Sequence, residues 1–227
     1  MAGILFIISA PSGSGKSTLV SQVRSLVEGL EFSISYTTRQ PRGSEEDGRE
    51  YYFTTRHEFE RMIAAGGFLE WAEVFGNYYG TAVAALAHAK YAGRDLLLDI
   101  DVQGAMQIMQ KLPEAVSIFI MPPTPEVLER RLRNRSEAEH MTSEEDLQRR
   151  LKAARKELDR IGEYKYAIVN DVLDVAATEM KAIVLTERAA LEADKALAAS
   201  CLTSVGSPRL VSALNSFKVA EGGPSPE

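Results

Sequence analysis

The feature that most constrains the fold of this chain is the stretch APSGSGKST at residues 10–18, which directly follows the apolar run ILFIIS. Small residues allow successive backbone N–H groups of such a turn to point inward toward an anion. A helix that begins near Lys16 adds the positive end of its dipole, and the Lys16 side chain adds a full charge for the β- and γ-phosphates. The hydroxyl of Ser17 can ligate Mg²⁺. The stretch therefore predicts a strand, a phosphate-binding loop and a helix that hold a nucleoside triphosphate, with the small Ala10 in place of the pattern's first glycine.

The composition predicts a globular enzyme. With 227 residues, of which 45% are hydrophobic, the chain can bury a full core as one domain or as a domain with an insert. The formal charge of −6 argues against general binding to nucleic acid or to a membrane surface. The single Cys201 excludes a disulfide framework and fits a reducing compartment. Because the apolar run at residues 4–10 is too short for a signal peptide or a membrane span, we expect a cytoplasmic, soluble enzyme.

Short apolar runs alternate with stretches of helical periodicity along most of the chain. The apolar runs lie at residues 4–9, 96–100, 116–121 and 167–169. The helical stretches lie at residues 17–28, 102–112, 125–135, 143–161 and 175–197. Buried parallel strands joined by crossover helices have this pattern, so we predict an α/β fold with a parallel sheet.

Two regions depart from this alternation. Between about residues 33 and 93 the chain contains aromatic residues, glycine turns and alternating patches such as YYFTT. We interpret this region as an inserted antiparallel element with one or two helices, near residues 57–65 and 81–92. Beyond about Ser200 the sequence becomes rich in Ser, Gly and Pro and ends in EGGPSPE, which predicts a mobile tail.

A first polar cluster, SYTTRQPRGSEEDGREYY, carries two arginines in a short turn. Arg39 and Arg42 flank a proline, and forked guanidinium groups at this spacing can converge on one phosphate. Ser35 and Tyr51 can add hydroxyl donors. The same pattern is typical of a solvated loop that carries surface charges, so the cluster alone leaves both interpretations open.

Acidic residues in apolar surroundings form two further clusters. In FLEWAEVFGNYYGT, Glu70 lies between Leu and Trp, and Tyr79 and Thr81 follow at a turn; a plain core strand and turn is the competing interpretation. In LLLDIDVQG, Asp99 lies near the C-terminal end of an apolar run and Asp101 lies just past it, where open α/β sheets bind ligands. Asp99 suits a role near Mg²⁺. Burying two carboxylates for structure alone is costly, which favours a functional interpretation.

Arginines also lie on both sides of a polar stretch in the second half of the chain. The segments ERRLRNR and LQRRLKAARKELDR flank the sequence SEAEHMTSEED. A solvated helical face with i,i+4 ion pairs is one interpretation. Because a phosphate-binding loop is present, the other is a helical lid at about residues 130–155 that brings arginines to the phosphates.

Together these clusters resemble the guanylate kinase family of nucleoside monophosphate kinases. The resemblance covers about residues 3–190 and is carried by APSGSGKST, SYTTRQPR, FLEWAEVFGNYYGT, LDIDVQG and IVND. It implies a P-loop kinase core with about five parallel strands flanked by helices, an inserted mixed antiparallel GMP-binding element and a helical lid. The implied boundaries are core 3–34 and 94–190, insert 35–93, lid 130–155 and flexible tail 200–227.

The resemblance also implies roles for single residues. The implied ATP-binding residues are Ser12, Gly13, Ser14, Gly15, Lys16, Ser17, Thr18, Arg135 and Asn170. The implied GMP-binding residues are Ser35, Arg39, Arg42, Tyr51, Glu70, Tyr79, Thr81 and Asp101. The implied catalytic residues are Lys16, Arg39, Arg131 and Arg150, and the implied ligands of the Mg²⁺ that accompanies ATP are Ser17 and Asp99. The register of the lid sequence leaves open whether Arg149 or Arg150 faces the phosphates. At the GMP site, Thr81 stands where the family often has Ser, and both residues carry a hydroxyl.

The implied reaction transfers the terminal phosphate of ATP to GMP or dGMP, giving ADP and the diphosphate in purine nucleotide recycling. The implied partners are small-molecule substrates, without nucleic acid or membrane, and a homo-oligomer stays open. Guanine presents N1–H and an exocyclic amine as donors, whereas the carboxylates of Glu70 and Asp101 only accept. Adenine lacks these donors on the same edge, so discrimination against AMP would reach about 10⁴-fold.

Two alternatives come from other classes. A guanylate-kinase-like scaffold would bind phosphorylated partner proteins in the GMP-phosphate pocket, but such modules typically lose ATP-binding residues, and Lys16, Ser17 and Asp99 are present here. Another small-molecule kinase with the same phosphate loop would not need the carboxylates of Glu70 and Asp101.

Overall fold

The computed structural model describes residues 3–138, 143–188 and 197–221; within these ranges, the side chains of residues 135–138, 219 and 221 lie outside the description. The strands are β1 (Leu5–Ser9), β2 (Leu30–Phe32), β3 (Tyr36–Thr37), β4 (Tyr52–Phe53), β5 (Phe68–Val74), β6 (Asn77–Ala82), β7 (Asp95–Asp99), β8 (Val116–Met121) and β9 (Tyr166–Val169). The helices are α1 (Lys16–Leu26), α2 (Arg56–Ala64), α3 (Val83–Ala92), α4 (Val102–Lys111), α5 (Pro125–Ala138), α6 (Glu144–Leu158), α7 (Leu173–Glu187) and α8 (Pro208–Glu221).

The parallel sheet has the strand order β2-β7-β1-β8-β9. Strand β1 pairs with β7 in a register that runs from Leu5↔Leu96 to Ile8↔Asp99, which puts Asp99 at the carboxyl end of its strand. Every residue of β1 and of β8 is buried. Strands covered on both faces carry continuous apolar runs, which is why the sequence pattern predicted them. The prediction of an α/β fold with about five parallel strands is confirmed.

The chain divides into two compact units, one of Met1–Ile8 and Gly29–Ser117, the other of Ser9–Glu28 and Ile118–Glu227. The first unit contains a second, mixed sheet of order β4-β3-β6-β5, in which β3 runs parallel to β4 and antiparallel to β6. The Phe59 ring of α2 stacks on Phe68 and on Tyr78, with centroids 4.3 and 5.2 Å apart. Helix α3 begins two residues later than predicted because Thr81 and Ala82 continue β6.

The second unit contains β8 from Ile118 onward, all of β9, and the helices α1 and α5–α8; the two strands pair from Ile118↔Tyr166 to Met121↔Val169. Helices α5 and α6 share a buried cluster against which Phe217 of α8 packs; its members are Leu128, Leu132, Leu147, Leu151 and Ala154. Throughout residues 3–138, 143–188 and 197–221, no helix combines the length and the apolar character needed to cross a membrane.

The structure differs from the predicted mobile tail over residues 200–221, where it shows a helix. Helix α8 begins at Pro208, after Ser207, whose hydroxyl accepts from the Leu210 backbone N–H at 3.3 Å. A capping Ser followed by Pro at the first helical position is a favoured helix start. Leu210 and Ala213 are buried, so they form one apolar face with Phe217. The Ser/Gly/Pro content concealed this periodicity, and residues 222–227 lie outside the described residues.

Candidate active site

The predicted phosphate-binding loop connects β1 to α1. Ser14 closes its turn twice, because its backbone N–H and its hydroxyl both donate to the Pro11 carbonyl oxygen, at 3.1 and 2.7 Å. Gly13 and Gly15 have φ angles of 88° and 84°, which residues with side chains rarely adopt. Helix α1 begins directly after Gly15, which offers no side chain to cap the first N–H groups. The loop therefore presents backbone donors and a positive helix end, a combination that suits a phosphate group.

Two predicted nucleotide-site residues hold the loop backbone. The side-chain amide of Asn170 (Nδ2) donates to the Ser14 carbonyl oxygen at 2.9 Å, and Arg131 Nη1 donates to the same oxygen at 3.1 Å. Arg131 Nη2 donates to the Asn170 carbonyl oxygen at 3.0 Å. Burial, and then the neighbouring Arg130, lower the pKa of Arg131. A bound anion would offset both effects, and a nucleotide phosphate is such an anion.

The remaining predicted phosphate-site residues lie in the loop and in the first turn of α1. Ser12 and Lys16 are half-buried, whereas Ser17 and Thr18 are exposed in the first helical turn. An exposed hydroxyl beside a helix N-terminus is accessible to a metal ion that a nucleotide brings with it.

The two arginines that the lid register left open differ in exposure. Arg150 is only 7% exposed on α6, in the same row as the buried Leu147 and Ala154. Arg149 is exposed and forms an ion pair with Asp146 at 2.6 Å. The side chain of Arg135, an implied ATP-binding residue, lies outside the described residues, although its backbone belongs to α5.

Glu70 is a buried carboxylate on β5, only 2% exposed. The Thr81 hydroxyl, on the paired residue of β6, donates to Glu70 Oε1 at 2.6 Å. Burial, and to a smaller extent the nearby charge of Asp101, raises the pKa of Glu70 to about 7, against the opposing effect of the Thr81 bond. Glu70 is therefore an acceptor whose charge is costly until a donor pairs with it.

Asp101 is the N-cap of α4, and its carboxylate accepts from the backbone N–H groups of Gln103 and Gly104 at 3.3 and 3.0 Å. Gly104 allows this first turn to lie against both carboxylates. A Cβ atom there would lie 2.2 Å from Glu70 Oε2 and 3.2 Å from Asp101 Oδ1. The two predicted guanine acceptors thus converge around Gly104, which sequence reasoning missed although it ends the LDIDVQG motif.

Side chains of α4 also fix the backbone of β5 on both sides of Glu70. Three of them, four residues apart, bond alternate strand residues: Gln103 to Glu73, Gln107 to Trp71 and Lys111 to Leu69. Four helical residues rise about 6 Å and two strand residues about 7 Å, so the two spacings match. Gln107 makes the most complete contact, because its Nε2 donates to the Trp71 carbonyl oxygen at 2.6 Å while its Oε1 accepts from the Trp71 N–H at 3.4 Å. This i, i+4 pattern was visible in the sequence, but its partners were not.

The predicted arginine turn is organised by Glu45, which sequence reasoning did not single out. Glu45 Oε1 accepts from Arg39 Nη2 at 2.9 Å, and Oε2 accepts from the Arg42 backbone N–H at 2.8 Å. Although burial opposes it, these bonds lower the pKa of Glu45. Arg39 is 9% exposed, whereas Arg42 is exposed, so the first guanidinium is held in place and the second extends from the turn.

Tyrosine rings surround Arg39. Its guanidinium carbon lies 5.4 Å from the centroid of Tyr51, and the Tyr51 and Tyr79 rings meet edge to face at 5.8 Å. Burial, and then the charge of Asp99, raise the pKa of Tyr51 to about 12, so its hydroxyl remains a hydrogen-bond donor. Ser35 is buried directly before β3. The first unit thus brings a cation and phenolic donors together, which are groups that bind phosphate.

A phosphate loop between the first strand and helix of a parallel α/β sheet defines the P-loop class of nucleotide-binding proteins. The chain belongs to the guanylate kinase family, because the family model described as guanylate kinase matches residues 3–187.

Individual relatives agree with this assignment. The guanylate kinase of Koribacter versatilis is 51% identical over 97% of this chain and 98% of its own length. That of Nitrosospira multiformis is 50% identical over 82% of this chain and 87% of its own length. Among solved structures, guanylate kinase from Anaplasma phagocytophilum is 35% identical, with a TM-score of 0.68 over 82% of this chain and 86% of that one.

Proposed function

We infer that the chain is an enzyme that transfers the terminal phosphate of ATP to GMP and releases ADP and GDP. The observation that carries this inference is the pair of acceptor-only carboxylates, Glu70 and Asp101, around Gly104 in a chain that also has a phosphate-binding loop. The loop accounts for a triphosphate donor, and the carboxylates account for guanine as the base of the acceptor.

We propose that Glu70 and Asp101 accept the N1–H and the exocyclic amine of guanine. Glu70 retains its second oxygen beyond the Thr81 bond. The Asp101 carboxylate caps α4 and also accepts from Gln103 Nε2 at 3.3 Å, and its two oxygens remain acceptor-only groups with about four lone-pair sites between them. None of these contacts requires a ribose 2′-hydroxyl, so dGMP fits the same proposal. AMP would leave a buried carboxylate unpaired, which is the physical basis for its exclusion.

We propose that the arginine turn holds the acceptor phosphate. Arg39 supplies a fixed guanidinium, Arg42 an exposed one, and the hydroxyls of Ser35, Tyr51 and Tyr79 supply neutral donors. A phosphate oxygen of GMP is already anionic, so the transfer needs no general base. Positioning and charge stabilisation then suffice, with Lys16, Arg131 and Arg150 as the cationic side chains of the ATP side.

We propose that Ser17 and Asp99 are ligands of a magnesium ion that accompanies ATP. The exposed Ser17 hydroxyl and the partly exposed Asp99 carboxylate are oxygen donors of the kind that Mg²⁺ prefers. Within the described residues, no three His, Cys, Asp or Glu side chains form a metal cluster, which suits an ion held largely by phosphates and water. Such an ion would supply charge neutralisation at the β- and γ-phosphates.

The proposed function is tested by coupled measurement of ADP release with GMP, dGMP, AMP, CMP and UMP in turn. We expect turnover with GMP and dGMP and rates at least about 10⁴-fold lower in kcat/KM with AMP. Equal turnover of AMP would overturn the role of the carboxylates. Absence of turnover with every acceptor, together with tight binding of phosphopeptides, would instead identify a scaffold.

A further inference from the structure

Residues 197–221 lie outside every sequence motif and beyond residues 3–187, yet they contact the structural support of the phosphate loop. Residues just before α8 extend the edge of β9, because the Ala167 N–H donates to the Cys201 carbonyl oxygen at 2.7 Å and Tyr166 bridges to Leu202. The helix itself then packs on the cluster shared by α5 and α6. The segment is therefore an integral part of the second unit.

Arg209 of α8 contacts the chain next to Asn170, the residue whose side chain bonds the phosphate loop. Its Nη2 donates to the Val169 carbonyl oxygen at 2.7 Å and to Asp171 Oδ1 at 2.5 Å, while Nη1 donates to Glu179. Val169 and Asp171 are the two neighbours of Asn170. One guanidinium thus holds the chain on both sides of the residue whose amide bonds the phosphate loop.

Asn170 transmits this restraint to the loop. Its backbone N–H donates to the Met121 carbonyl oxygen at 2.8 Å, and its Nδ2 reaches the Ser14 carbonyl oxygen at 2.9 Å. Its own carbonyl oxygen accepts from Arg131, which bonds the same Ser14 oxygen. A continuous set of hydrogen bonds therefore leads from Arg209 through residues 169–171 to the loop.

Arg209 is itself fixed from two directions. Glu179 on α7 is a buried carboxylate, 8% exposed, whose pKa burial raises even against the opposing effect of Arg209. The adjacent Leu210 is buried, and the Ser216 hydroxyl donates to the Pro123 carbonyl oxygen at 3.3 Å. Burying Glu179 without a cation would be unfavourable, so the ion pair and the docking of α8 depend on each other.

We propose that the C-terminal segment is part of the ATP-binding machinery, with Arg209 as a positioning residue that orients Asn170 and, through it, the phosphate loop. This inference rests on the proposed function for the identity of the nucleotide. Networks of this kind change affinities at a connected site by about 2- to 30-fold. The effect belongs to ATP, because every contact in the set lies in the unit that carries the phosphate loop.

The test uses the full chain with Arg209→Met, Arg209→Lys and, as a matched control, Lys218→Met at an exposed position of the same helix. Calorimetry gives Kd for a non-hydrolysable ATP analogue and for GMP, kinetics give KM for each substrate, and thermal unfolding gives Tm. We expect Arg209→Met to raise Kd and KM for ATP by about 2- to 30-fold and to leave the GMP values within about twofold. Arg209→Lys should recover part of the loss, and Lys218→Met should change nothing.

Several results would overturn the proposal. A lower Tm with unchanged Kd for ATP would make Arg209 purely structural, and equal losses for both substrates would mean a general disturbance. If Arg209→Met does not fold, the milder Asp171→Asn removes the negative charge of one partner of Arg209 and must show the same selective loss of ATP affinity. Failure of the proposed function is distinguishable, because it would appear as wild-type protein that binds the ATP analogue but does not phosphorylate GMP.

Discussion

Guanine binding should depend on pH through Glu70. With a pKa of about 7 in the free protein, Glu70 would be about one tenth ionised at pH 6 and about nine tenths ionised at pH 8. Only the ionised carboxylate is an acceptor at both oxygens, so the competent fraction multiplies the affinity. We therefore expect Kd and KM for GMP to fall about tenfold between pH 6 and pH 8, while KM for ATP changes much less.

Proton release provides a direct assay of this linkage. Calorimetric titration of GMP at pH 6.5 in two buffers of different ionisation enthalpy should show release of about three quarters of a proton from Glu70. The phosphate of GMP also titrates in this range, so the same titration with Glu70→Gln supplies the background to subtract. The reasoning is refuted if the pH profile and the proton release of Glu70→Gln match those of the wild type.

Three further perturbations follow from the same contacts. Lys16→Met should lower kcat by about 10²–10³-fold or more while Tm stays near the wild-type value, because the Lys16 side chain stabilises charge on the phosphates and does not pack in the core. A near-normal kcat would contradict this role. Gln107→Met should raise KM for GMP several-fold without changing KM for ATP, because it removes the two hydrogen bonds that hold the β5 backbone next to Glu70. Gln110→Met on the same helix should change neither KM value, and equal effects of the two variants would contradict the positioning role of Gln107. Glu70→Gln should stabilise the protein at pH 8 but not at pH 4, by up to about 3 kcal/mol in the free energy of unfolding. Because folding raises the pKa of Glu70, the carboxyl group stabilises the folded protein most at pH values below its pKa in the unfolded chain, and this contribution is lost as the pH rises toward about 7. The prediction would be contradicted if denaturant unfolding gave the same free energy difference between Glu70→Gln and the wild type at pH 4 and at pH 8.

The elements predicted best were those whose signal is local. The phosphate-binding loop and the strand before it could be predicted because each has a pattern in consecutive residues. Positive φ angles favour glycine, and a fully buried strand favours a continuous apolar run. Helix α4 was predicted to within one residue for the same reason. The alternating patches of the insert predicted an antiparallel element, and the structure shows a mixed sheet in which β3–β6 and β5–β6 are antiparallel but β3 and β4 are parallel.

The parts that sequence reasoning missed depend on contacts between distant residues. Glu45 lies among several acids of one loop, and only the fold shows that it bonds both Arg39 and the Arg42 backbone. Gly104 appeared to be an ordinary glycine, and its proximity to Glu70 arises from packing of α4 on β5. Composition misled at the C-terminus, because Ser207 and Pro208, counted as signs of disorder, form a helix start.

The central claim is that Glu70 and Asp101 select guanine, and its most direct measurement is the ratio of kcat/KM for GMP to that for AMP, in the wild type and in Glu70→Gln. A charge-assisted hydrogen bond is worth about 1.5–3 kcal/mol, which corresponds to a loss of about 10- to 150-fold in GMP affinity. We predict that the ratio falls by a factor in this range, through a higher KM for GMP, while KM for ATP stays within a few-fold. A Glu70→Gln enzyme with unchanged KM for GMP and undiminished discrimination against AMP would show that guanine is recognised elsewhere.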